Sequence, residues 1–82
     1  MADGRERVKK LRWRSRRGMK ELDVLLEAFL ARQTASLIEG KWPELEGLLQ
    51  QEDDVLYDWI SGRNLPADSN VRLLIKTIAH DI

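Results

Sequence analysis

The stretch Arg16-Arg17-Gly18-Met19-Lys20-Glu21 decides how this chain folds, because it joins two segments that each favour a helix. Arginines precede it, where they complement the negative end of a helix dipole, and carboxylates at Glu21 and Asp23 complement the positive end of the next helix. Gly18 is suited to the left-handed conformation that closes a helix. If Gly18 is also the N-cap of the second helix, Glu21 can reach back to the N-cap amide. The stretch therefore predicts a corner between two helices.

The segments on either side of the corner differ in how clearly they indicate a helix. Residues 5–17 are rich in Arg and Lys and lack proline, but Val8 and Leu11 are their only apolar stripe. Residues 19–33 have apolar side chains at intervals of three and four, which predicts a wide buried face. These side chains are Met19, Leu22, Leu25, Leu26, Phe29 and Leu30. We expect residues 1–4 to be frayed.

The middle of the chain predicts a connection and a third helix. Residues 34–40 lose the regular periodicity, so we interpret them as a connection anchored by Leu37 and Ile38. Trp42-Pro43 indicates a new start, since proline suits the first position of a helix. The apolar residues that follow at helical spacing are Leu45, Leu48 and Leu49.

The last third of the chain predicts two more helices. Asp53 is a candidate N-cap for a short fourth helix that carries Leu56, Trp59 and Ile60 and stops near Gly62. Asp68 or Ser69 can cap a fifth helix that extends to about Ala79. No stretch alternates as a strand does. The sequence therefore predicts an all-α fold, a compact bundle of five short helices in one domain over residues 1–82.

Composition excludes several classes of protein. Eighty-two residues leave little room for a catalytic cleft with its own walls, and there is no cysteine for thiol or zinc–thiolate chemistry. The single His80 cannot form a histidine metal cluster. No apolar run approaches the roughly 18 residues of a membrane span. We expect a protein without catalytic or metal-ligating residues, located in the cytoplasm or, after import, in the equivalent compartment of an organelle.

Charge is distributed unevenly although the net charge is zero. Residues 1–20 carry nine basic groups against two acidic ones, whereas residues 44–58 carry six acidic groups and no basic one. This asymmetry suits a protein partner of matching charge. It also leaves open an alternative, a small nucleic-acid-binding or regulatory module that uses the basic first helix, with Trp13 available for stacking. A salt-sensitive shift of generic DNA or RNA, lost on removal of the N-terminal arginines, would favour that alternative.

Trp13 is the tryptophan that a helical core explains least, because it lies off the line of Val8 and Leu11. A tryptophan beside several arginines has the composition of an interface hot spot.

The residues around Trp13 also contain a recognisable sequence motif. Arg17-Gly18-Met19-Lys20-Glu21 matches the RGxxE signature, within Leu11-Arg12-Trp13-Arg14-Ser15-Arg16-Arg17-Gly18-Met19-Lys20-Glu21-Leu22-Asp23. Together these residues resemble the first two helices of the succinate dehydrogenase flavinylation assembly factors of the SdhE type.

This resemblance spans nearly the whole chain and implies a function. Such factors bind the flavoprotein subunit of succinate dehydrogenase, and often that of fumarate reductase, and promote covalent attachment of FAD to a histidine of that subunit. The resemblance implies that FAD is the client's cofactor, that the factor binds no cofactor stably, and that the client carries out the chemistry. We expect a monomer when free, with neither a nucleic acid nor a membrane as partner.

The resemblance also implies which residues contact the partner. Arg17 and Glu21 would present opposite charges from one rigid turn, and a side chain at Gly18 would block close backbone approach or the turn itself. Arg16, Met19 and Trp13 would extend the contact surface. We expect Arg17 to pair with a carboxylate or carbonyl of the partner, and Glu21 with a basic residue or amide.

Overall fold

The computed structural model describes residues 4–79, which fold into helices joined by short turns. The helices are α1 Gly4–Ser15, α2 Lys20–Arg32, α3 Thr34–Ile38, α4 Leu45–Leu48, α5 Asp53–Ser61 and α6 Ser69–Ala79. None of residues 4–79 lies in a β-strand, so the predicted all-α class is confirmed. The described part of the chain has six helices rather than the predicted five, because α3 forms within the segment that was interpreted as a connection.

Both ends of α1 differ from the prediction. Gly4 is the first residue of α1, whereas we expected residues 1–4 to be frayed; residues 1–3 and His80 lie outside the described residues. A Cβ on Gly4 would approach the carbonyl oxygen of Ile38 too closely, so glycine lets α1 begin directly against α3. The helix ends at Ser15, two residues before the predicted end, where the Ser15 hydroxyl donates a 2.7 Å hydrogen bond to the Arg12 carbonyl.

Two predicted helix starts were misplaced. Pro43 was predicted at the first position of a helix, but it lies in a turn, and α4 is a single turn that begins at Leu45. The backbone before it changes direction at Trp42, whose φ is +58°. Asp53 is the first residue of α5 rather than its N-cap, which is Glu52, and the Glu52 side chain makes no capping hydrogen bond. By contrast, Asp68 caps α6 as predicted, accepting from the amide of Asn70 at 2.7 Å.

The apolar faces of the helices meet in one core. Helix α1 packs against α2 and α3, while α6 packs against α2, α4 and α5. The sequence correctly predicted most of the core, including Phe29, which is fully buried. Trp42 packs edge-on against the ring of Phe29, with ring centroids 5.7 Å apart. Leu37 is buried as predicted, but Ile38 is 38% exposed, so only Leu37 anchors this segment.

Arg7 ties α1 to the chain between α3 and α4. Its guanidinium donates hydrogen bonds of 2.7, 2.7 and 2.8 Å to the carbonyls of Leu37, Lys41 and Trp42. It also forms a two-pronged ion pair with Glu46, with distances of 2.7 and 3.0 Å. Five donors in a planar fork allow arginine to satisfy this many acceptors at once. A thin apolar stripe therefore suffices for α1, because Arg7 supplies a second attachment.

The Arg7 contact predicts how stability depends on pH. The hydrogen bond from Arg7 lowers the pKa of the Glu46 carboxyl below its usual value of about 4.5. Because the folded-state pKa lies below the unfolded one, the pair stabilises the fold above pH 4.5, and this contribution is lost as the pH falls through the folded-state pKa. Glu46→Gln should therefore lose less of its stability on acidification, as measured by urea unfolding at several pH values. The exposed Glu27 lies inside α2 and makes no ion pair with residues 4–79, so Glu27→Gln should follow the wild-type curve. Equal effects of the two substitutions would contradict the assignment.

Candidate functional site

The corner between α1 and α2 is formed by the backbone of Gly18 and Met19. Gly18 has a φ of +81°, the left-handed conformation that was predicted for it. Met19 then adopts an extended conformation as the N-cap of α2, and its carbonyl accepts from the amide of Asp23 at 2.9 Å. A Cβ on Gly18 would meet no atom within 4 Å, so the glycine is required by its φ and not by crowding within the protein.

Asp23 holds this corner closed, a role that we had assigned to Glu21. The Asp23 carboxylate accepts from the backbone amides of Arg17 at 2.8 Å and Gly18 at 3.2 Å, one on each oxygen. Because Met19 rather than Gly18 is the N-cap, Glu21 lies one position too early for the predicted capping interaction. Its side chain makes no hydrogen bond or ion pair with any of residues 4–79.

Arg17 points into the protein from the same corner. Its guanidinium donates to the carbonyls of Leu49 and Gln51, the latter at 2.7 Å, and to the carboxylate of Asp53 at 3.2 Å. The side chain is only 12% exposed. Its Nε is buried without an acceptor among residues 4–79, so the two terminal nitrogens make these contacts. Arg17 thereby attaches the corner to the turn between α4 and α5.

The other candidate residues surround the corner on the surface. Trp13 is 78% exposed, and Arg16 and Glu21 are exposed as well. Met19 is half-buried and packs against the core. The structure thus brings the six predicted residues together at one corner, with a basic and aromatic side at the end of α1 and an acidic side at the start of α2.

The chemistry that this arrangement offers is recognition of charge and shape. Within residues 4–79, no group of three or more His, Cys, Asp or Glu side chains could hold a metal ion. No helix within the same residues is long and apolar enough to cross a membrane. The corner instead presents an exposed carboxylate, an exposed guanidinium and an indole ring on a backbone fixed from inside by Asp23 and Arg17. Such a surface can bind a protein with high positional precision.

The comparison with known families covers most of the chain. Residues 9–81, which include the corner, match the family described as flavinator of succinate dehydrogenase. This chain belongs to that family. Among its relatives in the flavinator family is the FAD assembly factor SdhE of Coxiella burnetii, 43% identical over 70 residues that make up 85% of each chain. The FAD assembly factor SdhE of Pseudomonas aeruginosa is 38% identical over 78 residues, 95% of this chain and 92% of that protein.

No solved structure gives a significant match to this member of the flavinator family. The family that was inferred from the RGxxE resemblance is confirmed by the matches to the family and to its relatives. The sequence did not reveal that Asp23 and Asp53 hold the corner from within. A signal existed for Asp23, since a carboxylate in the first turn of a helix often accepts from preceding amides.

We predict that Asp23→Asn loosens the corner. An amide side chain offers one neutral acceptor oxygen where the carboxylate offers two charged ones, so one of the two backbone amides loses its acceptor and the other keeps only a neutral one. The free energy of unfolding should fall by about 1–2 kcal/mol, and the amides of residues 17 and 18 should exchange their hydrogens faster. Glu27→Gln, one turn further along α2 on an exposed side chain, is the matched control and should change stability by less than about 0.5 kcal/mol. Unchanged exchange at residues 17 and 18 would show that Asp23 does not hold the turn.

Proposed function

We propose that this protein binds the flavoprotein subunit of succinate dehydrogenase and promotes the covalent attachment of FAD to it. The observation that carries the proposal is the RGxxE corner, in which Gly18 and Glu21 are exposed on a backbone held from behind by Arg17. Membership in the flavinator family and the FAD assembly factors among the relatives support this choice of client and cofactor. The corner supplies the surface that would meet the client.

In this proposal the protein is not an enzyme. Formation of the bond between a histidine and the flavin belongs to the flavoprotein and its FAD, and the factor holds a conformation in which the two groups meet. Correct positioning of two reacting groups can supply several kcal/mol of a reaction barrier without any catalytic side chain. A small bundle with a rigid corner and no metal-binding cluster among residues 4–79 is suited to that role.

The buried and the exposed residues of the corner would have different roles in binding the client. Glu21 has no ion-pair partner among residues 4–79, so its carboxylate can accept from a basic residue or amide of the client. Arg17 already binds two carbonyls and Asp53, so its main contribution would be to position the backbone of Gly18 and Met19. Direct pairing of Arg17 with a carboxylate or carbonyl of the client stays a prediction. Trp13, Arg16 and Met19 would widen the contact surface.

The remaining features of the proposal concern the partner and its surroundings. We propose a cytoplasmic protein, or one of the mitochondrial matrix in a eukaryote, that is a monomer when free and also accepts the flavoprotein of fumarate reductase. FAD would remain the client's cofactor and would not be held stably by the factor. Neither a nucleic acid nor a membrane is a partner in this proposal, and the basic residues of α1 would face an acidic part of the client.

Two glycines allow the proposal to be tested with a matched pair. Gly18 and Gly40 both have positive φ, +81° and +93°, and a Cβ on either would meet no atom within 4 Å. Gly18→Arg and Gly40→Arg should therefore each cost about 1–2 kcal/mol of stability. Only the first places a bulky side chain on the proposed contact surface. The measurement is in-gel flavin fluorescence of the denatured flavoprotein subunit, made in cells that lack the factor and carry each variant.

We expect wild type and Gly40→Arg to restore the covalent flavin signal, and Gly18→Arg to leave it at the level of the deletion. If both variants restored the signal, the corner would not be the contact surface. If both failed equally, loss of folding stability would account for the result. If deletion and wild type gave the same signal, the proposed function would be wrong.

A further inference from the structure

An apolar groove lies between α2 and α5, beside the corner. It has a volume of about 500 Å³. Leu22 and Ile60 are buried residues that line it, while Val24 and Tyr57 line it as exposed side chains. Lys20 and Glu21 line it too.

Val24 and Tyr57 are large apolar or aromatic side chains that are exposed and are not part of the core. Val24 is 56% exposed and Tyr57 is 38% exposed, although both lie on helices whose buried faces are complete without them. Exposed apolar side chains that gather around a concavity indicate a binding site more often than single exposed ones do. The groove is also continuous with the corner, because Glu21 belongs to the RGxxE signature and lines the groove.

The charges at the groove specify what could fill it. Neither Glu21 nor Lys20 forms an ion pair or a side-chain hydrogen bond with residues 4–79. Both are exposed, so each can pair with an opposite charge outside this chain. A suitable occupant therefore has protruding apolar side chains, a basic residue that faces Glu21 and an acidic residue or carbonyl that faces Lys20.

We propose that this groove binds an apolar segment of the flavoprotein subunit, flanked by a basic residue that pairs with Glu21. The inference rests on the proposed function and deepens it, since it adds an apolar anchor to the charged contact at the corner. A second copy of this chain fits less well. A symmetric contact centred on the groove would place it against itself, and two concave surfaces of the same shape leave a void where packing should be.

The test compares two exposed aliphatic residues on different surfaces. Val24 and Leu73 are 56% and 57% exposed, but Leu73 lies on α6 and does not line the groove. Glutamine favours helices and is uncharged, so Val24→Gln and Leu73→Gln remove apolar surface without disturbing either helix. The measurement is the dissociation constant of the complex with the purified flavoprotein subunit lacking covalent flavin. We expect Val24→Gln to weaken the complex about tenfold, whereas Leu73→Gln should change it less than about twofold.

A second measurement identifies the occupant. Tyr57→p-benzoylphenylalanine places a photoreactive ring at the edge of the groove, and it should crosslink to the flavoprotein at an apolar segment next to a basic residue. Equal affinities for wild type and both glutamine variants would overturn the groove assignment while leaving the proposed function intact. A crosslink to a second copy of this chain would overturn it as well. If wild type itself neither bound the flavoprotein nor raised its covalent flavin, the proposed function would fail and the groove assignment with it.

Discussion

The hydrogen bonds of the Arg17 guanidinium are the interaction on which the geometry of this protein depends. They join the corner between α1 and α2 to the carbonyls of Leu49 and Gln51 and to the carboxylate of Asp53. Hydrogen bonds that involve a charged group contribute about 1.5–3 kcal/mol each, a large amount for a domain of this size. Without this attachment only the hydrogen bonds to Asp23 and the packing of Met19 against the core would be left to hold the corner among residues 4–79.

This arrangement separates the RGxxE signature into an inner and an outer part. Arg17 faces inward and fixes where the turn lies, while Gly18 and Glu21 remain on the outside with no group of residues 4–79 to satisfy the carboxylate. The backbone of Glu21 is already held in α2, so only its side chain remains to be ordered when a partner arrives, which lowers the entropic cost of binding. The spacing of the signature then has a physical reason, since one tight turn must point a cation inward and a carboxylate outward.

The sequence predicted the larger helices and most of the core because wide apolar faces produce a clear period. It missed α3, since a five-residue helix with Leu37 as its only buried residue has no period to detect. The sequence predicted which residues form the candidate site but not the contacts that hold the corner in place. Arg17 binds backbone carbonyls 32 and 34 residues away. Every residue has a backbone carbonyl, so the sequence does not indicate which ones will accept these hydrogen bonds. The capping interaction predicted for Glu21 does not form because Met19 rather than Gly18 is the N-cap of α2; Asp23, in the first turn, instead accepts from the amides of Arg17 and Gly18.

The most direct test of this account is the covalent flavin content of the flavoprotein subunit matured with Glu21→Ala, measured beside the unfolding free energy of that variant. Because the Glu21 side chain is exposed and pairs with none of residues 4–79, its removal should change stability by less than about 0.5 kcal/mol. The account predicts that flavin attachment is nevertheless lost. A stable Glu21→Ala protein that supports flavin attachment as well as wild type would contradict it.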